Sequence, residues 1–117
     1  MLRKRILALV GMPGCGKALA SEVARFMGLP VLAFGDVIRD EVLRRGLRAT
    51  MSNVGDMMFR IRKEEGEAVV ANRLIPKIEA ARSTVVVVEG PRNWEEIEEL
   101  KRRYDIWIVA IHSSPST

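Results

Sequence analysis

An apolar run, Ile6-Leu7-Ala8-Leu9-Val10, passes straight into Gly11-Met12-Pro13-Gly14-Cys15-Gly16-Lys17-Ala18. Behind that turn, Leu19, Val23, Phe26 and Met27 recur at helical spacing and share one face. A strand, a glycine-rich turn and a helix start, in this order, constrain the fold more than anything else in the chain. Glycines let successive backbone N–H groups curl into a concave nest, and the helix N-terminus behind them adds partial positive charge. Lys17 supplies a mobile point charge at the end of the turn. The spacing from Gly11 to Gly16-Lys17 therefore predicts a phosphate-binding loop, and the flanks argue against an ordinary turn that merely contains glycines. One position departs from the pattern. Ala18 stands where a Ser or Thr usually offers a hydroxyl to Mg²⁺.

A chain of 117 residues fits one domain with a two- or three-layer core. Its 48% hydrophobic and 29% charged residues describe a globular protein and exclude a disordered one. Net charge is +4, which favours anionic partners such as nucleotides or nucleic acid. The bases are spread along the chain and mixed with acids, so a dedicated nucleic-acid arm is not indicated. Cys15 is the only cysteine, which excludes an intrachain disulfide and points to a reducing, cytoplasmic setting. Its small size suffices to explain a cysteine in the loop. The apolar run after Met1-Leu2-Arg3-Lys4-Arg5 is too short for a signal peptide or a membrane span, so no membrane partner is expected.

The first strand is expected at about 5–10 and the first helix at about 17–27, stopped by Gly28-Leu29-Pro30. Val31 to Phe34 reads as a short strand, and Asp36 as the N-cap of a helix to about Arg45 with Ile38 and Val42 inward. From Ser52, the residues Val54, Met57, Met58 and Ile61 give an amphipathic stripe, and Ala71, Leu74, Ile75 and Ile78 give a second after Gly66. Pro76 is expected to kink that second helix. Thr84 to Val88 is an unbroken β-branched run, the pattern of a strand buried on both faces, and it leads into Glu89-Gly90-Pro91-Arg92. Asn93 and Glu96 form a capping-box pattern for a helix to about Arg103, packed through Ile97, Leu100 and Tyr104. The pairs Glu98–Arg102 and Glu99–Arg103 are expected on its solvated face. The last strand, 106–111, is again continuously apolar.

Four strands separated by helical stretches predict a parallel sheet covered on both faces, an α/β architecture. Ligands of such open sheets sit outside the carboxyl ends of the strands. Those ends are Val10-Gly11, Phe34-Gly35-Asp36, Val88-Glu89-Gly90 and Ile111-His112. The loop, two acids and two arginines, Arg39 and Arg92, are thereby expected on one edge.

With these residues in view, the chain resembles adenylate-kinase-type P-loop kinases, and within them an archaeal group of adenylate-kinase-related proteins. The resemblance runs along essentially the whole chain through three anchors. Gly11 to Lys17 is similar to the nucleoside-triphosphate phosphate loop, including its internal Pro-Gly. Gly35-Asp36-Val37-Ile38-Arg39 resembles the family's Gly-Asp-x-x-Arg segment, whose arginine grips the acceptor monophosphate. Glu89-Gly90-Pro91-Arg92 resembles an acid-Gly-x-Pro-Arg segment, one residue shorter, in which the acid lies near Mg²⁺ and the arginine contacts the transferring phosphates. The resemblance implies a three-layer P-loop NTPase fold over 1–117, with an acceptor-binding helical region at about 36–82. It implies ATP and Mg²⁺ as cofactors and a small phosphorylated or nucleotide-like acceptor.

The sequence also departs from that family. Neither glycine nor hydroxyl follows Lys17, so Mg²⁺ would be held by phosphates, waters, and Asp36 or Glu89 in an outer shell. Glu89 replaces a more usual, shorter Asp. Ser113-Ser114-Pro115 reads as a helix start that the family continues into a mobile lid, and the expectation is a chain that stops before that lid.

The expected activity is transfer of the terminal phosphoryl of ATP, with Lys17, Arg39 and Arg92 catalytic, residues 11–18 binding nucleotide, and Asp36, Arg39 and Arg92 binding acceptor. The alternative is a nucleotide-binding switch or RNA-associated NTPase that hydrolyses ATP to regulate a partner. Asp36 serves equally as a helix cap. Glu89, at the end of a buried strand, needs a metal or Lys17 as partner. His112 reads as a strand-end residue, and Trp94 and Trp107 as core or packing residues rather than a base-stacking platform. An uncovered last strand predicts self-association through 106–111.

Overall fold

The computed structural model describes residues 3–11, 17–91 and 93–110. Among them, strands β1 (Arg5–Val10), β2 (Val31–Ala33), β3 (Val85–Glu89) and β4 (Asp105–Ala110) form one parallel sheet in the order β2-β3-β1-β4. Helices α1 (Lys17–Phe26), α2 (Phe34–Arg44), α3 (Met51–Glu65), α4 (Val69–Ala80) and α5 (Trp94–Lys101) supply the crossovers. The arrangement is the expected α/β one.

Alternation along the central strands divides the core in two. Ile6 and Ala8 of β1, with Val86 and Val88 of β3, face a large cluster built from Phe34, Ile38, Val42, Met57, Ile61, Val70, Leu74, Ile78 and Leu100. Leu9 and Val87 face the other way, where Ala24 of α1 closes a much smaller cluster with Ala20 and Leu29 packed beside it. The sheet is therefore sandwiched between α1 on one side and the remaining helices on the other.

Helix ends follow local chemistry. Leu29 N–H donates to the Ala24 carbonyl and Gly28 N–H to Arg25, a closure that puts Gly28 at φ +81°, where glycine alone is unstrained. The Thr50 hydroxyl accepts from Asn53 N–H at 3.1 Å and starts α3 one residue before the expected Ser52. Asn93 and Glu96 complete the expected capping box reciprocally at 2.8 and 3.1 Å. Helix α4 continues through Pro76 to Ala80.

Several expectations are corrected. The stripe on α1 faces solvent: Leu19 is 65% and Phe26 93% exposed, and Val23 and Met27 are exposed as well. The sheet-facing side instead carries Ala20, Ser21 and Ala24, small residues that let the helix lie close to the strands. Asp36 is not the cap of α2. The helix begins at Phe34 after an extended Ala33 with no side-chain cap, because Phe34 enters the core as a helical residue rather than as the end of β2. Strand β4 is one of the two outer strands among the described residues and is exposed along most of its length, so its unbroken apolar run does not signal burial. Trp94 and Trp107 are exposed rather than packed in the core. Each ring carries a cation over its face, Lys101 at 5.4 Å and Arg5 at 5.3 Å respectively. On α5, Arg102 pairs with Glu99 at 2.9 Å, one residue away from the expected i,i+4 spacing. His112 and Ser113 to Pro115 lie outside the described residues.

Candidate functional site

The carboxyl ends of β1, β2 and β3 lie side by side, since Leu9 is in register with Glu89, and Ala33 with Glu89 on the other flank. Gly11 follows β1 directly, the first turn of α2 follows β2, and Gly90 follows β3 with φ +89° and its N–H donating to the Leu9 carbonyl at 3.1 Å. That turn ties the segment after Glu89 to the strand that feeds the glycine-rich loop. Of the loop itself, Met12 to Gly16 lie outside the described residues, as do Arg92 and the side chains of Lys17 and Ala18. The structure does place Lys17 in the first turn of α1, so the expected strand and the expected helix N-terminus are both present on either side of those residues.

Asp36 and Arg39 come together on α2, with Arg39 Nη1 donating to Asp36 Oδ1 at 2.5 Å. Both side chains remain more than half exposed, so the pair is open to a ligand rather than locked into the core. Gly35 lets the guanidinium lie close to the backbone, since a Cβ there would sit 3.3 Å from Arg39 Nη2. Beside it opens a cleft of about 390 Å³, lined by Gly35 and Arg39, by Ala49, and by Met51, Val54, Gly55 and Met58 of α3. One cation on an apolar, methionine-rich wall suits a ligand with a phosphate at one end and a flat or apolar body at the other. A larger cleft of about 630 Å³ lies around Gly28 to Val31 and Ala81 to Ser83, at the opposite ends of the strands. Size alone does not choose between them. The loop, the charged pair and the strand ends point to the smaller one.

Glu89 has a partner that sequence reasoning did not name. Ser21 Oγ donates to Glu89 Oε2 at 2.7 Å, from a side chain only 1% exposed. The signal was the small-residue face of α1, obscured by the louder apolar stripe opposite.

A second unread feature lies at the base of the helical region. Glu41, buried on the inner face of α2, accepts from Arg44, Arg45 and Arg73, and Arg45 and Arg73 continue to Glu64 and Glu65 at 2.7 and 2.6 Å. Hydrogen bonds from Arg44, then Arg45 and Arg73, hold the Glu41 carboxyl at about 2 against the cost of burial. The Glu64 carboxyl is likewise lowered, chiefly by Arg45, and the Arg73 guanidinium is raised, chiefly by Glu41. This network binds α2, α3 and α4 into one body behind the cleft.

Taken together, the parallel sheet, the helix that starts at Lys17 shortly after β1 and the crossovers on both faces define a protein of the P-loop kinase-related fold class. The chain belongs to the family described as AAA domain, whose model matches residues 10–115. It is similar to a UPF0200 protein of Hyperthermus butylicus, 39% identical over 112 residues, and to one of Methanosarcina mazei, 46% identical over 107 residues. Those matches take in 96% and 92% of this chain but 60% and 57% of the relatives, so the chain spans somewhat over half of their length. Among solved structures, an APS kinase of Mycobacterium tuberculosis superposes with a TM-score of 0.50 at 17% identity, covering 100% of this chain and 83% of that one. That likeness concerns the fold.

Proposed function

We propose that this chain is a nucleotide-dependent phosphotransferase that passes the terminal phosphoryl of ATP to a small phosphorylated or nucleotide-like acceptor. One observation carries the reading: the start of the glycine-rich loop, the Asp36–Arg39 pair with its cleft, and Glu89 all lie on the carboxyl edge of a single parallel sheet. In this reading the ATP phosphates lie on residues 11–18, Lys17 neutralises charge on the transferring group, Arg39 holds the acceptor's phosphate, and Arg92 aligns the two. Phosphoryl transfer rests on positioning and electrostatics, so no general base is required.

The donor set fits Mg²⁺. Glu89 offers a hard carboxylate oxygen at the end of β3, and Asp36 offers a second from the first turn of α2 after the neighbouring strand. An ion that keeps its waters and leans on substrate phosphates suits such a site. When bound, it would offset negative charge on the phosphates.

A coupled assay across nucleoside monophosphates and dephospho-coenzyme A, with ATP alone as control, tests the proposal. Acceptor-dependent turnover is expected. Arg39→Ala should raise the acceptor KM at least tenfold with little change in ATP affinity. ATP consumption that ignores every acceptor would instead favour a regulatory NTPase, the reading that Ala18 in place of a hydroxyl supports. Among the described residues, no helix is long and apolar enough to cross a membrane. We assign the protein to the cytoplasm on its lone cysteine.

A further inference from the structure

Helix α1 carries a serine where its packing calls only for something small. Ala20 and Ala24 show what the contact with the sheet requires, and Ser21 between them is 1% exposed. A buried hydroxyl in a helix commonly satisfies itself on the carbonyl one turn back, at some cost to helix stability. Ser21 donates instead across the layer, to Oε2 of Glu89 at 2.7 Å. Among the described residues it is the one donor to that carboxylate. A hydrogen bond to an ionised acceptor is the strong kind, and here its donor is buried while the acceptor is partly open.

Two features of the sequence make this contact consequential. Glu89 has one more rotatable bond than an aspartate, so an untethered carboxylate at the strand end would sample several rotamers. Ala18 removes the hydroxyl that a phosphate loop ordinarily gives to the cation, which leaves more of the cation's orientation to the acid.

We propose that Ser21 is a positioning residue: its buried hydroxyl fixes one oxygen of Glu89, leaving the other as the acceptor for a hydrated divalent cation carried in on the nucleotide's phosphates. The inference rests on the phosphotransferase reading for the cation's presence and goes beyond it in assigning Ser21. Ser21 touches neither nucleotide nor metal. It acts by removing the rotational freedom of the residue that does.

The test is Mg²⁺-dependent binding of a non-hydrolysable ATP analogue by isothermal titration calorimetry. It uses the parent chain, Ser21→Ala, Ser21→Cys, Ser21→Thr and Glu89→Gln, with ligand-free thermal melts alongside. Ser21→Cys keeps a similar volume without a strong donor, which covers the case in which Ser21→Ala loosens the helix. Loss of a partner that orients a metal-binding side chain costs tenfold or more in metal affinity. Ser21→Ala and Ser21→Cys should therefore raise the Mg²⁺ concentration for half-maximal enhancement of binding about tenfold, leave metal-free affinity unchanged, and be rescued by the hydroxyl of Ser21→Thr. Glu89→Gln should shift it at least as far. A merely structural tie would lower the melting temperature and leave the Mg²⁺ curve in place. An unmoved curve in Ser21→Ala and Ser21→Cys, with Glu89→Gln still shifted, overturns the inference and spares the phosphotransferase reading. An unmoved curve in Glu89→Gln overturns the role of the acid and with it that of Ser21. A parent chain that binds no analogue overturns both readings.

Discussion

Glu41 offers the sharpest test of how the helical region is held. The perturbation is Glu41→Gln, which keeps shape and removes charge at a side chain 1% exposed among Arg44, Arg45 and Arg73. Its carboxyl titrates at about 2 rather than the ordinary 4.5. At about 1.4 kcal/mol per pKa unit, that gap sets a ceiling of about 3 kcal/mol on the charge's contribution to folding. Arg44 is largely in water, and screening there lowers the expectation to about 2 kcal/mol, or about 10 °C in melting temperature for a domain of this size. The sign follows from the direction of the shift. As pH falls below 4.5 the unfolded chain takes up the proton first, so the stabilisation is fully present above 4.5 and is lost progressively towards 2. Urea unfolding followed by circular dichroism from pH 7 to pH 3 measures this for parent and variant. The curves should stand about 2 kcal/mol apart at neutral pH and draw together as pH falls below 4.5. Curves that remain parallel, or a gap below about 0.5 kcal/mol at pH 7, would refute the reasoning, because that gap is typical of exposed pairs.

Gly35→Ala should separate stability from binding. A Cβ 3.3 Å from Arg39 Nη2 pushes the guanidinium aside and should raise acceptor KM several-fold, while helix propensity raises the unfolding free energy by up to about 1 kcal/mol. Asn93→Ala removes the capping box of α5 and should cost about 1 kcal/mol in a denaturant titration. Val109→Lys charges the exposed outer strand β4 and should weaken self-association in sedimentation velocity, whereas a parent chain that stays monomeric at high concentration would refute an interface there.

The sheet was legible because each strand is announced by chemistry that nothing else explains: an apolar run into glycines at Val10-Gly11, and a β-branched run into an acid at Val88-Glu89. The capping box at Asn93 was legible for the same reason, since both partners lie in the local sequence. What failed was the inference from hydrophobicity to burial. Leu19 and Phe26 made the better stripe by periodicity, but closeness of approach to the sheet selected Ala20, Ser21 and Ala24. Trp107 is apolar and exposed because β4 lies at the sheet's edge, and strand order is not written in any one strand. Of the site, the Asp36–Arg39 pair could be read from i,i+3 spacing, whereas Ser21–Glu89 joins residues 68 apart and needed the fold. Glu41 could have been found. It sits three residues after Ile38 and one before Val42, an acid on a face those two residues mark as inward.

The unequal cover on the two sides of the sheet sets a hierarchy of amide exchange. Helices α2 to α5 share the large cluster and should open only with the whole domain, while α1 rests on Ala24, Leu9 and Val87 and a few partly covered neighbours. Its amides should therefore exchange through a local opening well below the global free energy. The glycine-rich sequence runs directly into that helix, so a nucleotide bound there as proposed would stabilise the element that is most easily lost. At a hundred times its Kd a ligand adds about 2.7 kcal/mol to whatever opening releases it, roughly a hundredfold slowing of exchange. That protection would appear along α1 and leave α4 almost untouched, so the least stable layer of the molecule would be the one that reports occupancy.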